Sequence, residues 1–231
     1  MAKKLIIVRH GNTFLPGESP TRVGAHTDLP LVEEHRARSV GKYLLAQGIC
    51  PDLVYAAPLK RTMQTAQLMM DELDCQRNIL PQSDFTEIDY GPDENKVEEQ
   101  VIERIGRDAL DKLRKLTSST TPQEIQAEGE RRIGLWNTQA IAPNGWIVNV
   151  DGIISAWQHF AQEMAPDQTV VIVSSNGIIR FAPRLLKDYD TFCTTHDLKV
   201  VTGSVGIFEE VDGEWICKQW GMKPYKLYDK E

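Results

Sequence analysis

Arg9-His10-Gly11-Asn12-Thr13 directly follows the apolar run Leu5–Val8, and two other apolar runs end on groups that could serve the same ligand. After Leu53–Ala56 comes Ala57-Pro58-Leu59-Lys60-Arg61-Thr62, and after Val170–Val173 comes Ser174-Ser175-Asn176-Gly177. A guanidinium fork matches phosphate oxygens bidentately and stays cationic at any working pH, so two arginines beside a histidine suit a phosphoryl group. Their charge also disfavours the imidazolium form and keeps His10 neutral and nucleophilic. Gly11 lets the backbone approach a ligand closely. The hydroxyl and amide groups of the third run enter a helix, whose first N–H groups favour anions. Taken singly, Arg9 and Arg61 also read as surface ion-pair partners and His10 as the end of a strand. The pattern by itself leaves both readings open.

The three apolar runs are short, rich in branched residues and apolar on both faces, as interior strands of a mainly parallel sheet are. Each is followed by a segment of helical character. Helices are expected near Val32–Gln47, Leu59–Leu73, Glu98–Leu116, Pro122–Ala140, Gly152–Met164 and Gly177–Leu186. Val40, Tyr43 and Leu44 in the first, and Val101, Ile105, Leu110 and Leu113 in the third, follow helical spacing. Thr121 before Pro122, with Glu124 three positions on, spells a capped helix start. Ser204–Val211 and Glu214–Trp220 flank Asp212-Gly213, a dipeptide that closes two-residue hairpins. In such an α/β sheet, ligands sit beyond the carboxyl ends of the strands, where the residues above would meet. The expected fold is a three-layer α/β/α sandwich with a mainly parallel central sheet. Residues 1–231 read as a single domain, with 92–150 as a helical cap insertion whose Trp136 and Trp146, with Trp157, read as core.

The chain has 231 residues, enough for a domain that buries roughly 70–75% of its unfolded surface without staples. Its 26 Lys+Arg against 33 Asp+Glu give a net charge of −7, with no basic run to follow a nucleic-acid backbone. No stretch approaches the roughly 18–20 apolar residues of a membrane span, and the start has too few for a secretory leader. Cys50, Cys75, Cys193 and Cys217 form no C-x-x-C pair and no zinc spacing, so four reduced thiols in a cytoplasmic protein are expected. Walker A, G-x-G-x-x-G and H-E-x-x-H patterns are absent, and Val173 stands where a G-x-S-x-G elbow around Ser175 needs its first glycine.

Five segments, in order, resemble the histidine phosphatase superfamily, the phosphoglycerate-mutase-like fold. Arg9-His10-Gly11 resembles its R-H-G motif, and Thr27-Asp28-Leu29-Pro30-Leu31 its D-x-P-L-T-x-x-G segment. Ala57 to Ala66 resembles S-P-L-x-R-A-x-Q-T-A, Glu87-Ile88-Asp89-Tyr90-Gly91 the E-x-x-x-G loop, and Ser174 to Arg180 the S-H-G-G-x-I-R stretch. The resemblance implies that His10 attacks phosphorus in line and carries a phosphohistidine, later hydrolysed by water. It implies that Arg9 and Arg61 hold the phosphoryl oxygens, and that Glu87 protonates the leaving alkoxide and then takes a proton from water. Asp84 and Asp89 are the alternative acids. Asn12 and Thr13 match positions lining the phosphate, and neither a metal nor a cofactor is expected. The substrate would be a small-molecule phosphate ester or a phosphoprotein.

One position departs from that pattern. Counting back from Arg180, Ser175 falls on the second catalytic histidine, and His26, His35, His159 and His196 lie in other segments. Removing one positioned donor from a transition-state pocket costs about 10²–10³ in rate. Enzymes accelerate phosphate-monoester hydrolysis by up to about 10²¹, so a pocket keeping His10, both arginines and an acid still has room to turn over. Ser175 and Asn176 could donate neutral hydrogen bonds instead. The expected function is a weakened phosphomonoesterase. A phosphate-binding or regulatory protein on the same fold is the alternative, and a phosphoglycerate mutase is disfavoured because Ile88 stands where mutases of this type carry arginine.

Overall fold

Residue alternation along three strands decides which side chains face which layer. The computed structural model describes residues 2–113 and 117–228. In chain order its elements are β1 (Lys4–Arg9), α1 (His35–Ala46), β2 (Leu53–Ala56), α2 (Lys60–Met70), β3 (Ile79–Pro81), α3 (Glu98–Lys112), α4 (Pro122–Gln139), α5 (Val150–Glu163), β4 (Thr169–Ser174), α6 (Asn176–Ile179), α7 (Tyr189–Thr195), β5 (Val205–Val211), β6 (Glu214–Met222) and α8 (Tyr225–Tyr228). The strands form one sheet in the order β3-β2-β4-β1-β5-β6. Pairings among β3, β2, β4 and β1 are parallel, while β5 runs antiparallel to both β1 and β6. The sheet is therefore mixed, with its parallel part where the predicted strands lie.

Ile6, Val8, Val54, Ala56, Val171 and Val173 pack with Val40 and Leu44 of α1 and Met69 and Met70 of α2. The alternate residues face the opposite side. There the ring of Tyr55 meets Phe160 of α5 edge-on at 5.1 Å, and Phe85 packs on Trp157 at 4.4 Å. Helices thus cover both faces, giving the α/β sandwich with its central sheet. The β5–β6 hairpin turns at Asp212 and Gly213, both with positive φ (52° and 82°), as a two-residue turn that follows strand twist requires.

The described residues sort into two compact units, one within 1–16, 28–87 and 151–231 and one within 17–27 and 88–150. In the second, α3 and α4 cross closely at two glycines. A Cβ on Gly106 would lie 1.9 Å from the Ile125 carbonyl oxygen, and one on Gly129 2.1 Å from that of Ile102. The Thr121 capping box is formed in both directions, with the Glu124 N–H on the threonine hydroxyl at 3.3 Å and the Thr121 N–H on the glutamate carboxylate at 2.8 Å. Trp136 and Trp146 are buried here, whereas Trp157 belongs to the first unit, where its indole N–H donates to the Ile178 carbonyl at 3.1 Å.

Several expectations are corrected. Cys50 and Cys75 are joined in a disulfide with their Cα atoms 6.1 Å apart, because the neighbouring strands β2 and β3 start side by side; Cys193 and Cys217 are free thiols. Helix α1 begins at His35 and not at Val32, whose N–H is taken by the Asn12 carbonyl at 3.0 Å. Leu113 is 49% exposed, and the buried stripe of α3 is Val101, Ile105, Gly106 and Ala109. The expected end of that helix at Leu116 lies outside the described residues. The helix expected over Gly177–Leu186 is instead the single turn α6 and a 3-10 turn, Ala182–Leu185, because Pro183 supplies no N–H to continue an α-helix. The three-residue β3 and the short α7 and α8 were not anticipated.

Candidate active site

The carboxyl ends of β1, β4 and β2 lie level with one another. Arg9 pairs with Ser174, and Ala56 with Val173. The ladder continues one step past the strands, with the His10 N–H on the Ser174 carbonyl at 3.1 Å and the Ala57 N–H on the Val173 carbonyl at 3.0 Å. His10 is thereby set beside Ser175.

His10 is buried, and its Nδ1 lies 2.7 Å from the Gly11 carbonyl oxygen. A carbonyl only accepts, so Nδ1 carries the proton and Nε2 keeps its lone pair. Burial, then the positive charges of Arg9 and Arg61, hold the imidazole pKa well below the ordinary 6.5, against a smaller opposing contribution from the Gly11 hydrogen bond. The result is a neutral imidazole with a free nitrogen among cations.

Arg61 is fully buried on the first turn of α2. Three contacts tie that helix to the loop that follows β1. Thr65 accepts the Gly11 N–H at 3.0 Å and donates to the Arg61 carbonyl at 2.7 Å. Gln64 accepts the Leu31 N–H at 2.8 Å. Leu59, at the start of α2, offers no capping side chain, and Asp28 fills that role by accepting the Lys60 N–H at 2.7 Å. These contacts give the segments Thr27–Leu31 and Ala57–Ala66 a physical purpose: they lock the arginine-bearing helix against the His10 loop. Asp28, Gln64 and Thr65 lie within the motif segments, but their residue types alone do not mark them as positioning groups.

Glu87 is buried, and its Oε2 accepts the Gly177 N–H at the start of α6 at 3.2 Å. This places the carboxylate on the residue that follows Ser175 and Asn176. Of the alternative acids, Asp84 is exposed on a 3-10 turn. Asp89 is held by the Gly91 N–H at 2.6 Å and by His26 at 3.2 Å. Ser175 is buried, and its hydroxyl has no hydrogen-bond partner among the described residues. Asn176 is half-buried and accepts the Val200 N–H at 2.9 Å. Asn12 accepts from the Thr202 hydroxyl, Arg9 donates to the Val200 carbonyl, and Thr13 follows half-buried. His26, His35, His159 and His196 are all exposed. Among the described residues no cluster of His, Cys, Asp and Glu could hold a metal ion, and no helix is long and apolar enough to cross a membrane.

Residues 5–223 match the family model described as the histidine phosphatase superfamily (branch 1). Over the whole of this chain the structure is similar to phosphoglycerate mutase from Bacillus anthracis, with a TM-score of 0.71, 20% identity and 97% of that chain covered. It is also similar to a mycobacterial glucosyl-3-phosphoglycerate phosphatase, with a TM-score of 0.68, 20% identity, and 96% and 100% of the two chains covered. For the alpha-ribazole phosphatase from Shigella flexneri the TM-score is 0.65 at 17% identity, with 95% and 96% covered. At these identities the likeness is one of fold.

Proposed function

The chain belongs to the histidine phosphatase superfamily (branch 1), and on that premise we propose that it is a phosphomonoester hydrolase acting through a phosphohistidine on His10. The observation that carries this reading is the imidazole itself, neutral, with Nδ1–H spent on the Gly11 carbonyl and Nε2 left as a nucleophile beside two guanidiniums. In the first step the Nε2 lone pair forms a bond to phosphorus while the bond to the ester oxygen breaks in line. Glu87 gives its proton to the departing alkoxide, and Arg9 and Arg61 balance charge on the phosphoryl oxygens. In the second step water attacks phosphorus, Glu87 takes its proton, the P–N bond breaks and inorganic phosphate leaves. Asn12, Thr13, Ser175 and Asn176 complete the phosphate contacts with neutral donors. No step calls for a metal or a cofactor.

Ser175 replaces the second histidine of the family pattern, so turnover is reduced and not abolished. The buried, unpartnered Ser175 hydroxyl also supports a second reading, a phosphate-binding or regulatory protein with little turnover. Mutase activity is disfavoured, since Ile88 follows Glu87 and the pocket has lost a donor. Substrates are small phosphate esters or phosphoproteins, and the choice among them is assigned to the insertion at 92–150. A cytoplasmic setting, expected from reduced thiols, loses that support with Cys50 and Cys75 bonded.

The test is p-nitrophenyl phosphate hydrolysis from pH 5 to 8 by the wild type, His10→Ala and Ser175→His, with the phosphoenzyme trapped in alkali. Hydrolysis by the wild type, its loss in His10→Ala together with the trapped phosphate, and a gain of about 10–10² in Ser175→His are expected. Background rates in the wild type, rescued only by Ser175→His, favour the binding protein. Hydrolysis that survives His10→Ala removes His10 as the nucleophile.

A further inference from the structure

Four consecutive residues outside every motif, Val200 to Gly203, bind the ends of both β1 and β4. The Val200 carbonyl accepts from Arg9 Nη1, and its N–H donates to Asn176 Oδ1 at 2.9 Å. The Thr202 hydroxyl donates to Asn12 Oδ1. The Gly203 N–H points at the Arg9 and His10 carbonyls, at 3.0 and 3.1 Å. Gly203 has φ +72°, and a Cβ there would lie 2.8 Å from that of Arg36, so both conformation and space call for glycine. Behind the segment, Arg36 Nη1 donates to the Thr202 carbonyl at 3.0 Å and hydroxyl at 2.9 Å, with its guanidinium 4.2 Å over the Tyr225 ring.

These contacts decide which way two amides face. A backbone N–H only donates, so Asn176 must meet Val200 with its oxygen. The Thr202 hydroxyl accepts from Arg36, which leaves its one proton for Asn12, so Asn12 is again anchored by its oxygen. Both NH₂ groups are the outward, donating ends. Beside Asn176 stands the buried Ser175 hydroxyl, without a partner among the described residues.

We propose that Val200–Gly203 is a positioning segment, with Thr202 as its key side chain, that presents the Asn12 and Asn176 amides NH₂-first to a phosphoryl group at His10. The proposal rests on the phosphatase reading above. It gives the β4 end a pair of neutral donors, the Asn176 amide and the Ser175 hydroxyl, at the place of the absent imidazole.

Thr202→Val keeps the side-chain shape and removes the hydroxyl. It is expected to lower kcat/KM for p-nitrophenyl phosphate about tenfold, mainly in kcat, while Thr202→Ser stays within about twofold of the wild type. Because Thr202 acts through Asn12, the double variant Asn12→Ala/Thr202→Val should be no slower than Asn12→Ala alone. Losses that multiply, or a Thr202→Val enzyme at the wild-type rate, overturn the proposal. If Thr202→Val does not fold, Thr202→Ala takes its place in the same cycle. Failure of the phosphatase reading looks different: the wild type and His10→Ala are then equally slow. In that case the cycle is read on orthovanadate binding by calorimetry, where non-additive losses support the segment's role and additive ones overturn it.

Discussion

Two buried polar clusters in this molecule are built on opposite principles. In the second unit, Asp93 is 1% exposed, yet its carboxylate receives both prongs of the Arg104 guanidinium and the Trp146 indole N–H at 2.7 Å. Arg104 reaches on to the Asn144 carbonyl at 3.2 Å. Arg22 lies 4.8 Å over the Trp146 ring and meets Glu98 through two bonds of 2.7 and 2.8 Å. Each charge there faces an opposite charge or a dipole turned to suit it. The two charges that act on His10, Arg9 and Arg61, share one sign, the imidazole is driven neutral, and a buried serine hydroxyl lacks a partner among the described residues. The first arrangement holds its own chain together. The second has the charge that would suit an anion, as the proposed phosphoryl site requires.

Substitutions should therefore separate the two clusters by what they damage. The largest effect is expected at His10. His10→Ala should lower kcat/KM for p-nitrophenyl phosphate by about 10⁴-fold or more without loss of melting temperature. The same variant tests the electrostatics. As the pH falls through 6.5 the unfolded chain protonates this histidine, while the folded chain, with its pKa held well below that value, does not. The histidine's contribution is thus intact above pH 6.5 and declines as the pH falls toward the folded-state pKa. Denaturant titrations of His10→Ala at pH 7 and pH 5 should show a smaller acid loss than the wild type; an equal loss would break the contrast. Next in size, Asp93→Ala takes the acceptor from the buried Trp146 indole N–H and from Arg104, whose side chain is 28% exposed, and should cost about 2–3 kcal/mol in urea unfolding followed by tryptophan fluorescence. A change below about 1 kcal/mol would put that cluster in the class of weak surface pairs. Thr121→Ala, which removes one half of an exposed capping box on α4, sets the lower end of the scale at about 1 kcal/mol.

Legibility in the sequence followed the physics of each element. β2 was expected at its observed bounds, and β1 and β4 within one residue at each end, because a buried parallel strand must be apolar on both faces. Thr121 and Glu124 announced a helix start because capping is a local reaction of neighbouring side chains. β3 has three residues ending on Pro81 and depends on β2 for its existence, so no periodicity could show it. Arg9, His10 and Arg61 stand out because their residue types at strand ends suit a phosphoryl group, and Ser175 and Asn176 because the family pattern has a histidine and a glycine at those positions. Val200–Gly203 does not, since it works through two peptide groups, one hydroxyl and a left-handed glycine. Its only trace in the sequence was Thr202-Gly203 just before the predicted hairpin.

The Cys50–Cys75 bond encloses all of β2 and α2, and so the residue Arg61, within a sequence separation of 25. A single cleavage of the backbone anywhere inside that ring would open it without releasing a fragment. The two chain pieces would migrate together on a gel until a thiol was added, and the stretch bearing Arg61 would stay leashed to the sheet through sulfur.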